Sequence, residues 1–349
     1  AMDVARFGDY ASPQYGTIKS SENYERRFIM TFPNETLPKG RKQKTTALYD
    51  RFVNQGAVMG DSFGLENVLW FANNKEDAHE EPTIKRSRSH DYVSKEVINV
   101  RENVGLIEVA NFSKHEFKGP DARKFLDHIM AGRLPKPGRI SLSPMLSYRG
   151  KLCGDLTVAC LDENEFMVFG SGAAQEMHRR WFESHLDKFN LSYSNRSDEY
   201  HGLSIAGPNS RKVLEKIVRD DVSNEKLKFR DSRRMFVGGV PAIINRISFT
   251  GELGYEIYVA PHYQLKLYEE LMEAGKEFNI KPFGGRALMS MRLEKNWGAW
   301  TLDYRPDFTA KETGLDAFIN WDKEFIGKES AQKENSSNKL VPLIVETNE

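Results

Sequence analysis

The distribution of apolar and polar residues predicts a chain in which strands and helices are mixed throughout. Helical patterns cover 94–103, 121–130, 173–189, 208–218, 261–278 and 285–295. Strands are predicted over 139–146, 155–161, 165–169, 202–206, 241–249 and 255–259, and the last two are predicted to pair as a hairpin around the glycine-containing turn between them. The segment 105–118 predicts a strand pair or one bent strand. Because strands and helices do not alternate strictly, the pattern favours an α+β fold.

Two long blocks of the chain have a similar content of predicted elements. Residues 105–190 and 200–295 each combine strands with helices, which is compatible with paired ferredoxin-like units. Residues 1–75 are rich in aromatic and turn residues with little periodicity, and we expect an extended, wrapping segment there. The polar residues 73–89 predict an exposed loop.

Composition excludes several classes of partner. The chain has 349 residues with 50 basic and 50 acidic side chains, so no net field attracts nucleic acid or a membrane surface. No apolar run approaches the ~20 residues of a membrane span. Two cysteines, Cys153 and Cys160, do not make a disulfide framework. We expect a reducing compartment: the cytoplasm, or the mitochondrial matrix in a eukaryote.

Several motifs for cofactors and metals are missing from the sequence. No glycine-rich dinucleotide fingerprint, P-loop or nucleophile elbow occurs, so no Rossmann-type flavin or nucleotide site is expected in this chain. The histidines His178, His185 and His201 are scattered without a third ligand at metal spacing. No metal site is predicted.

Two carboxylates next to glycines are the main candidates for chemistry. Asp155 follows Gly154 at the mouth of a predicted strand, where a ligand can approach closely. Glu256 follows a turn with two glycines, and points inward if Tyr255 points outward. From the residues alone, a solvated aspartate at a strand start and a glutamate on an edge strand are the alternatives.

Three motifs together resemble a known family. They are Tyr-Arg-Gly-Lys-Leu-Cys-Gly-Asp-Leu-Thr-Val at 148–158, Ser-Phe-Thr-Gly-Glu-Leu-Gly-Tyr-Glu-Ile-Tyr at 248–258, and Gly-Gly-Arg-Ala-Leu at 284–288. The chain resembles the folate-binding aminomethyltransferases, which comprise glycine cleavage T-proteins and the carboxyl-terminal halves of dimethylglycine and sarcosine dehydrogenases. This resemblance implies a T-protein-like fold with ferredoxin-like units around a central folate site.

The resemblance also implies roles for individual residues. Asp155 matches the family's catalytic carboxylate near the reactive nitrogens of tetrahydrofolate, where it would orient the folate and stabilise a cationic iminium. Glu256 matches the glutamate that grips the pterin through two adjacent N–H donors. Phe249 stands where relatives often have tyrosine, so a wall for the folate is kept but a hydroxyl is lost.

Three more residues complete the predicted cofactor-binding set. Arg286 matches an arginine near the folate or the substrate, with a solvent-facing or salt-bridged arginine as the alternative. Met167 is interpreted as pocket wall or core, with core preferred. Tyr255, the neighbour of Glu256, is the last member.

The first 75 residues resemble one branch of the family more than the other. The motifs starting at Asp3, Glu25, Phe32 and Gly64 resemble the junction after the flavin domain of dimethylglycine and sarcosine dehydrogenases. The resemblance therefore implies a linker at 1–75, a folate-binding core at 76–335 and the start of an incomplete barrel at 336–349. FAD is expected only on a missing domain or a partner chain.

The function implied is transfer of a one-carbon unit, released from dimethylglycine or sarcosine, to tetrahydrofolate to form 5,10-methylenetetrahydrofolate. One alternative is a flavin-independent aminomethyltransferase or demethylase that uses another donor. Another is a non-catalytic folate-binding protein involved in cluster maintenance. The stretch at 323–329 argues against that last alternative, because it lacks the cysteine that such relatives carry.

Overall fold

The computed structural model describes residues 7–33 and 35–346. Within them the strands are β1 Ala57–Ser62, β2 Leu65–Phe71, β3 Val104–Glu108, β4 Phe112–Lys118, β5 Arg139–Leu146, β6 Leu152–Asp162, β7 Glu165–Ser171, β8 Ser192–Asn195, β9 His201–Ala206, β10 Ser232–Val237, β11 Val240–Asn245, β12 Gly254–Val259 and β13 Ile280–Pro282. The α-helices are α1 Pro13–Glu25, α2 Tyr49–Asn54, α3 Ser89–Glu102, α4 Ala122–Ile129, α5 Gln175–Glu183, α6 Ser210–Ile217, α7 Gln264–Ala274, α8 Gly285–Glu294, α9 Ala310–Thr313 and α10 Lys328–Lys333.

Two large sheets organise the fold. The first has six strands in the order β10-β11-β12-β9-β3-β13, and the second has five in the order β5-β6-β7-β4-β8. Strands β1 and β2 form a separate antiparallel pair. Neighbouring strands are antiparallel except β3 and β13, whose parallel pairing brings distant parts of the chain together. The predicted α+β class is confirmed.

The two large sheets share an apolar layer. Because side chains alternate between the faces of a strand, residues two apart on each strand face this layer. Ile243 and Tyr258 of the six-stranded sheet and Ala159, Met167 and Phe169 of the five-stranded sheet belong to the same buried cluster. The Phe169 and Tyr258 rings stack with their centroids 4.6 Å apart, so the sheets meet directly.

Helices cover the other face of each sheet. Phe125 of α4 and Phe182 of α5 are buried with Val158 of β6, on the outer face of the five-stranded sheet. Leu214 of α6 and Leu271 of α7 are buried in the cluster that covers the outer face of the six-stranded sheet. These apolar helix faces hold the sheets in place and leave the shared layer for the site.

Several local expectations differ from the structure. Residues 1–75 are not a purely extended segment, since the described part holds α1, α2 and the β1–β2 hairpin. Helix α1 is capped by the Ser12 side chain and has proline in its first turn, although it lacks an apolar stripe. In β2, buried and partly exposed residues do alternate. The cap of α1 and the alternation of β2 are local signals. The aromatic and turn residues around them led instead to the prediction of an extended segment.

Two further boundaries were wrong. The helix predicted over 173–189 ends at Glu183, because Phe189 leaves the helical path and packs against Phe125 at 5.3 Å between ring centroids. Segment 105–118 does contain two strands, but they do not pair with each other. Strand β3 joins β9 and β13, whereas β4 joins β7 and β8. Strands β8, β10 and β13 were not predicted.

Parts of the predicted domain scheme fall outside the described residues. Residues 1–6, with Asp3 at the start of the junction motif, Asn34, and residues 347–349 are among these. The described part of 336–349 contains no helix or strand. The proposed division into linker, core and barrel therefore stays a prediction.

Candidate functional site

Glu256 lies in the middle of β12 and faces the layer between the sheets. It is opposite Asn245 of β11 and Ser204 of β9, and only 7% of its surface is exposed. Burial raises the pKa of its carboxyl group to about 7. The Tyr258 hydroxyl donates a hydrogen bond of 2.8 Å to Oε2 and opposes part of that shift. Glu256 is thus a buried acid with one oxygen held in place.

Two lysines lower the pKa of Glu256 without forming a contact ion pair with it. Lys295, just after α8, donates to the Ser248 carbonyl at 3.1 Å, and its charge lowers the pKa of Glu256. Lys114 of β4 is fully buried and donates to the Ala110 carbonyl at 2.7 Å. Desolvation lowers the pKa of Lys114 to about 7. The surroundings of Glu256 therefore favour its ionised form only modestly.

Asp155 lies on β6, opposite Pro144 of β5, on the same face of the strand as Ala159. Part of its side chain is exposed, yet the surrounding protein desolvates the carboxylate and raises its pKa to about 7. No lysine or arginine in the described residues forms an ion pair with it. Burial raises the pKa of the Tyr304 phenol, and the charge of Asp155 adds to that shift.

Gly154 explains how β6 can run so close to its covering helix. A Cβ atom at this position would lie 2.8 Å from Nε2 of His178 on α5. His178 itself contacts the Cys153 carbonyl through Nε2 at 2.9 Å. The glycine therefore lets the strand sit against α5 on one face while Asp155 projects from the other.

The turn between β11 and β12 is built by side chains from its own residues. The hydroxyls of Ser248 and Thr250 are 2.6 Å apart, and the Glu252 amide donates to Oγ1 of Thr250. Gly251 has φ of +89°, a conformation that favours glycine. Phe249, in this turn, is partly exposed. The turn delivers the chain into β12 two residues before Glu256.

The remaining predicted residues are not all directed at the same layer. Met167 is buried within it. Tyr255 is fully buried on the opposite face of β12, where its hydroxyl accepts a hydrogen bond from Nε of Arg211 at 3.1 Å. Arg286 donates to Oγ of Ser89 and pairs with Glu80 at 2.9 Å. The structure thus brings Asp155, Glu256 and Met167 to one layer, but not Tyr255.

Tyr258 was missed by the sequence reasoning. It lies two residues after Glu256, so strand alternation places both on one face, and this spacing could have identified it. Gly202 of β9 is opposite Tyr258, and a Cβ atom there would lie 2.6 Å from the tyrosine ring. The glycine makes room for the ring that holds Glu256.

Two cavities lie apart from both acids. One of about 680 Å³ is bordered by the amino-terminal segment and α5, including Tyr10, Lys44 and Arg179. One of about 250 Å³ runs along the β11–β12 turn, and Glu256 does not line it. We place the candidate site at the buried acids, because convergent polar groups, rather than void size, supply binding chemistry.

Residues 7–33 and 35–346 contain neither a helix that could span a membrane nor a cluster of metal-binding side chains. No helix there is long and apolar enough to cross a membrane. No group of three or more His, Cys, Asp or Glu side chains there is arranged to hold a metal ion.

Comparison with known proteins identifies the family. The family model described as GCVT N-terminal domain matches residues 48–323, which is most of the chain. A model described as FAD dependent oxidoreductase central domain matches residues 1–46. The chain belongs to the GCVT family. The family resemblance inferred from the three motifs is confirmed.

The relatives show how the chain corresponds to longer proteins. The mitochondrial dimethylglycine dehydrogenase of Mus musculus is 33% identical over 100% of this chain and 41% of its own length. The mitochondrial sarcosine dehydrogenase of Mus musculus is 28% identical over 99% of the chain and 43% of its length. The aminomethyltransferase of Thermotoga sp. (strain RQ2) is 28% identical over 86% and 78%. The chain thus spans about two fifths of the two dehydrogenases.

A solved structure supports the fold independently. The glycine cleavage system aminomethyltransferase T from Bartonella henselae superposes with a TM-score of 0.70 at 23% identity, and the match covers 83% of this chain and 74% of that one. The T-protein-like fold is therefore confirmed.

Proposed function

We propose that this chain binds tetrahydrofolate at Glu256 and Asp155, where its two sheets approach each other, and takes part in one-carbon transfer to it. The observation that carries the proposal is Glu256, a buried carboxylate held by Tyr258 in an otherwise largely apolar layer. Burying an ionisable group without a contact ion pair is unfavourable, so such a group is a candidate for ligand binding. Membership of the GCVT family supports folate as that ligand.

Glu256 would hold the pterin ring. A carboxylate accepts two adjacent N–H donors in a fork, and each of its oxygens has two lone pairs. Tyr258 uses one lone pair of Oε2, so both oxygens can still accept from a ligand. The rings of Phe169 and Tyr258, which stack on each other, place apolar groups beside it. These features fit a planar heterocycle with adjacent N–H groups.

Asp155 would stabilise positive charge in the reaction and exchange protons with the bound folate. Tetrahydrofolate, when bound, would supply N5 as the nucleophile. The iminium carbon would bond first to N5 and then to N10, sarcosine or glycine would leave as the amine, and one proton would be released as 5,10-methylenetetrahydrofolate forms. The Asp155 carboxylate would stabilise positive charge near N5 and hold a proton. A pKa of about 7 suits a group that must exchange protons near neutral pH. The shared apolar layer would limit access of water to the carbon unit.

The one-carbon donor is proposed to be dimethylglycine or sarcosine. The relatives that cover the whole chain are named dimethylglycine and sarcosine dehydrogenases, and the FAD dependent oxidoreductase model matches residues 1–46. Amine oxidation would take place at a flavin on another domain or subunit. The proposed location is the cytoplasm, or the mitochondrial matrix in a eukaryote.

A second candidate is aminomethyl transfer without flavin. It is favoured by the aminomethyltransferase of Thermotoga sp. (strain RQ2), which matches 86% of this chain. The two candidates share the folate site and differ in the donor. Formation of 5,10-methylenetetrahydrofolate from a carrier-bound aminomethyl group, without any flavoprotein, would select the second.

Calorimetric titration with tetrahydrofolate tests the folate site. Glu256→Gln keeps the side-chain shape but exchanges one acceptor for a donor, and we expect affinity to fall about 10- to 100-fold. Glu252→Gln, a change of the same type in the neighbouring turn, is the matched control and should bind as the wild type does. Asp155→Asn should retain binding and lose formation of 5,10-methylenetetrahydrofolate.

Two results would refute the proposal. Absence of tetrahydrofolate binding to the wild type would exclude the site in this chain. Equal loss of affinity in Glu252→Gln and Glu256→Gln would show that the effect is not specific to the buried acid. Thermal unfolding of each variant separates loss of binding from loss of folding.

A further inference from the structure

A row of buried polar residues crosses the six-stranded sheet at the level of Glu256. Ser232 of β10 is opposite Asn245 of β11, Asn245 is opposite Glu256 of β12, and Glu256 is opposite Ser204 of β9. All four face the same layer, and none is more than 7% exposed. Polar side chains in such a position are costly unless they are hydrogen-bonded.

Asn245 has an unused donor in this row. The Ser232 hydroxyl donates to Oδ1 of Asn245 at 2.7 Å. Nδ2 of Asn245 has no hydrogen-bond partner within the described part of the chain, although the residue is fully buried. Because Ser232 of β10 holds Oδ1, the planar amide keeps Nδ2 away from that hydroxyl, and Glu256 is the residue opposite Asn245 on the other neighbouring strand. A buried, unsatisfied amide donor next to a buried acceptor requires an explanation.

We propose that Asn245 is a specificity-determining residue, whose amide donates to a ring carbonyl of the ligand while Glu256 accepts from the neighbouring N–H groups. This inference rests on the proposed folate site and deepens it. The ligand class is a planar 2-amino-4-oxo heterocycle, which presents two N–H donors and one carbonyl acceptor along one edge. The carboxylate of Glu256 offers two acceptors and the amide of Asn245 one donor, which is the complement of two donors followed by one acceptor on that edge.

The neighbouring groups explain why the donor stays free for a ligand. Tyr258 already donates to Glu256, so the carboxylate does not depend on Asn245. Lys295 and Lys114 act on Glu256 only at longer range. Sites that hydrogen-bond a substrate group discriminate strongly against analogues that lack it, because the site's own polar group is then left unpaired. Asn245 would discriminate in this way between a 4-oxo and a 4-amino ring.

A change of preference tests this inference. Affinities of tetrahydrofolate and of its 4-amino analogue, tetrahydroaminopterin, are measured by calorimetry for the wild type and for Asn245→Asp. We expect the wild type to prefer the 4-oxo ring by about 10-fold or more, because the 4-amino ring would leave the buried amide donor unpaired. In Asn245→Asp an acceptor replaces the donor, so the preference should fall by about 10-fold or more; the part that Glu256 draws from N3–H, which only the 4-oxo ring carries, remains. If Asn245 had only a structural role, Asn245→Asp would lower the affinities of both ligands equally.

A second variant keeps the inference testable if Asn245→Asp folds poorly beside Glu256. Asn245→Leu has a similar volume with neither donor nor acceptor, and it should lose affinity for tetrahydrofolate more than for the 4-amino analogue. Asn99→Asp, at another buried amide, on α3, is the control and should keep the wild-type preference. Its amide donates to the Val104 carbonyl at 3.0 Å.

The possible outcomes distinguish the role of Asn245 from the existence of the folate site. If the wild type binds tetrahydrofolate and both Asn245 variants keep its full preference for the 4-oxo ring, the role of Asn245 is refuted and the folate site stands. If the wild type binds neither ligand, the proposed function fails and the role of Asn245 fails with it.

Discussion

Acid should weaken this fold through His178, and the effect is large enough to measure. His178 of α5 is 1% exposed, and burial lowers the pKa of its imidazole from 6.5 to about 4. The unfolded chain therefore binds a proton below pH 6.5 that the folded chain takes up only near pH 4. The stability contributed by the neutral ring is complete above pH 6.5 and is lost as pH falls towards 4.

The magnitude follows from the difference in pKa. A shift of about 2.5 pKa units at about 1.4 kcal/mol each corresponds to about 3 kcal/mol of unfolding free energy. His178→Gln removes the titration while an amide N–H can still donate to the Cys153 carbonyl, as Nε2 does now. His115, whose ring centroid is 6.2 Å from that of His178, is present in both proteins.

Urea unfolding at several pH values between 7.5 and 4 measures this contribution. We expect the stability of His178→Gln to fall by about 3 kcal/mol less than that of the wild type across this range. His262→Gln, at an exposed position, controls for the substitution itself. Parallel pH profiles of wild type and His178→Gln would show that the imidazole does not remain neutral in the folded chain, and would refute the reasoning.

Two further substitutions probe packing around the site. Gly202→Ala places a methyl group 2.6 Å from the Tyr258 ring, so we expect a loss of about 1–3 kcal/mol in thermal unfolding and weaker tetrahydrofolate binding; unchanged stability would show that the ring has room to move. Arg292→Ala removes one partner of the ion pair with Asp303, whose atoms are 2.5 Å apart. Arg292 is 5% exposed, so we expect a loss of about 3 kcal/mol in urea unfolding, whereas a loss below about 1 kcal/mol would mean that water already screens the pair.

Local patterns in the sequence were sufficient to predict many elements and the family. Strand β5 was predicted at its observed bounds, and the β11–β12 pairing around the glycine turn was also predicted. These features depend on alternation and turn chemistry, which operate over a few residues. The motifs around Asp155 and Glu256 identified the family for the same reason, since they are contiguous in the chain.

Other features depended on contacts between residues far apart in the chain. Arg286 pairs with Glu80, and α5 ends where Phe189 packs on Phe125. Tyr255 was expected to point outward, and alternation did separate it from Glu256, but α6 and α7 bury it. Alternation predicts which residues share a face of a strand, but it does not predict which other elements cover that face.

The sequence by itself determined the mixed α+β class and the family, and it nominated Asp155 and Glu256 as site residues, because these signals lie in contiguous residues. Only the tertiary structure decided that Lys114 is fully buried, that Tyr258 holds Glu256 and that Asn245 has an unused donor beside it. These properties arise from strand order and from the approach of two sheets. Partners across a sheet are set by the packing of the whole chain, which no local pattern records.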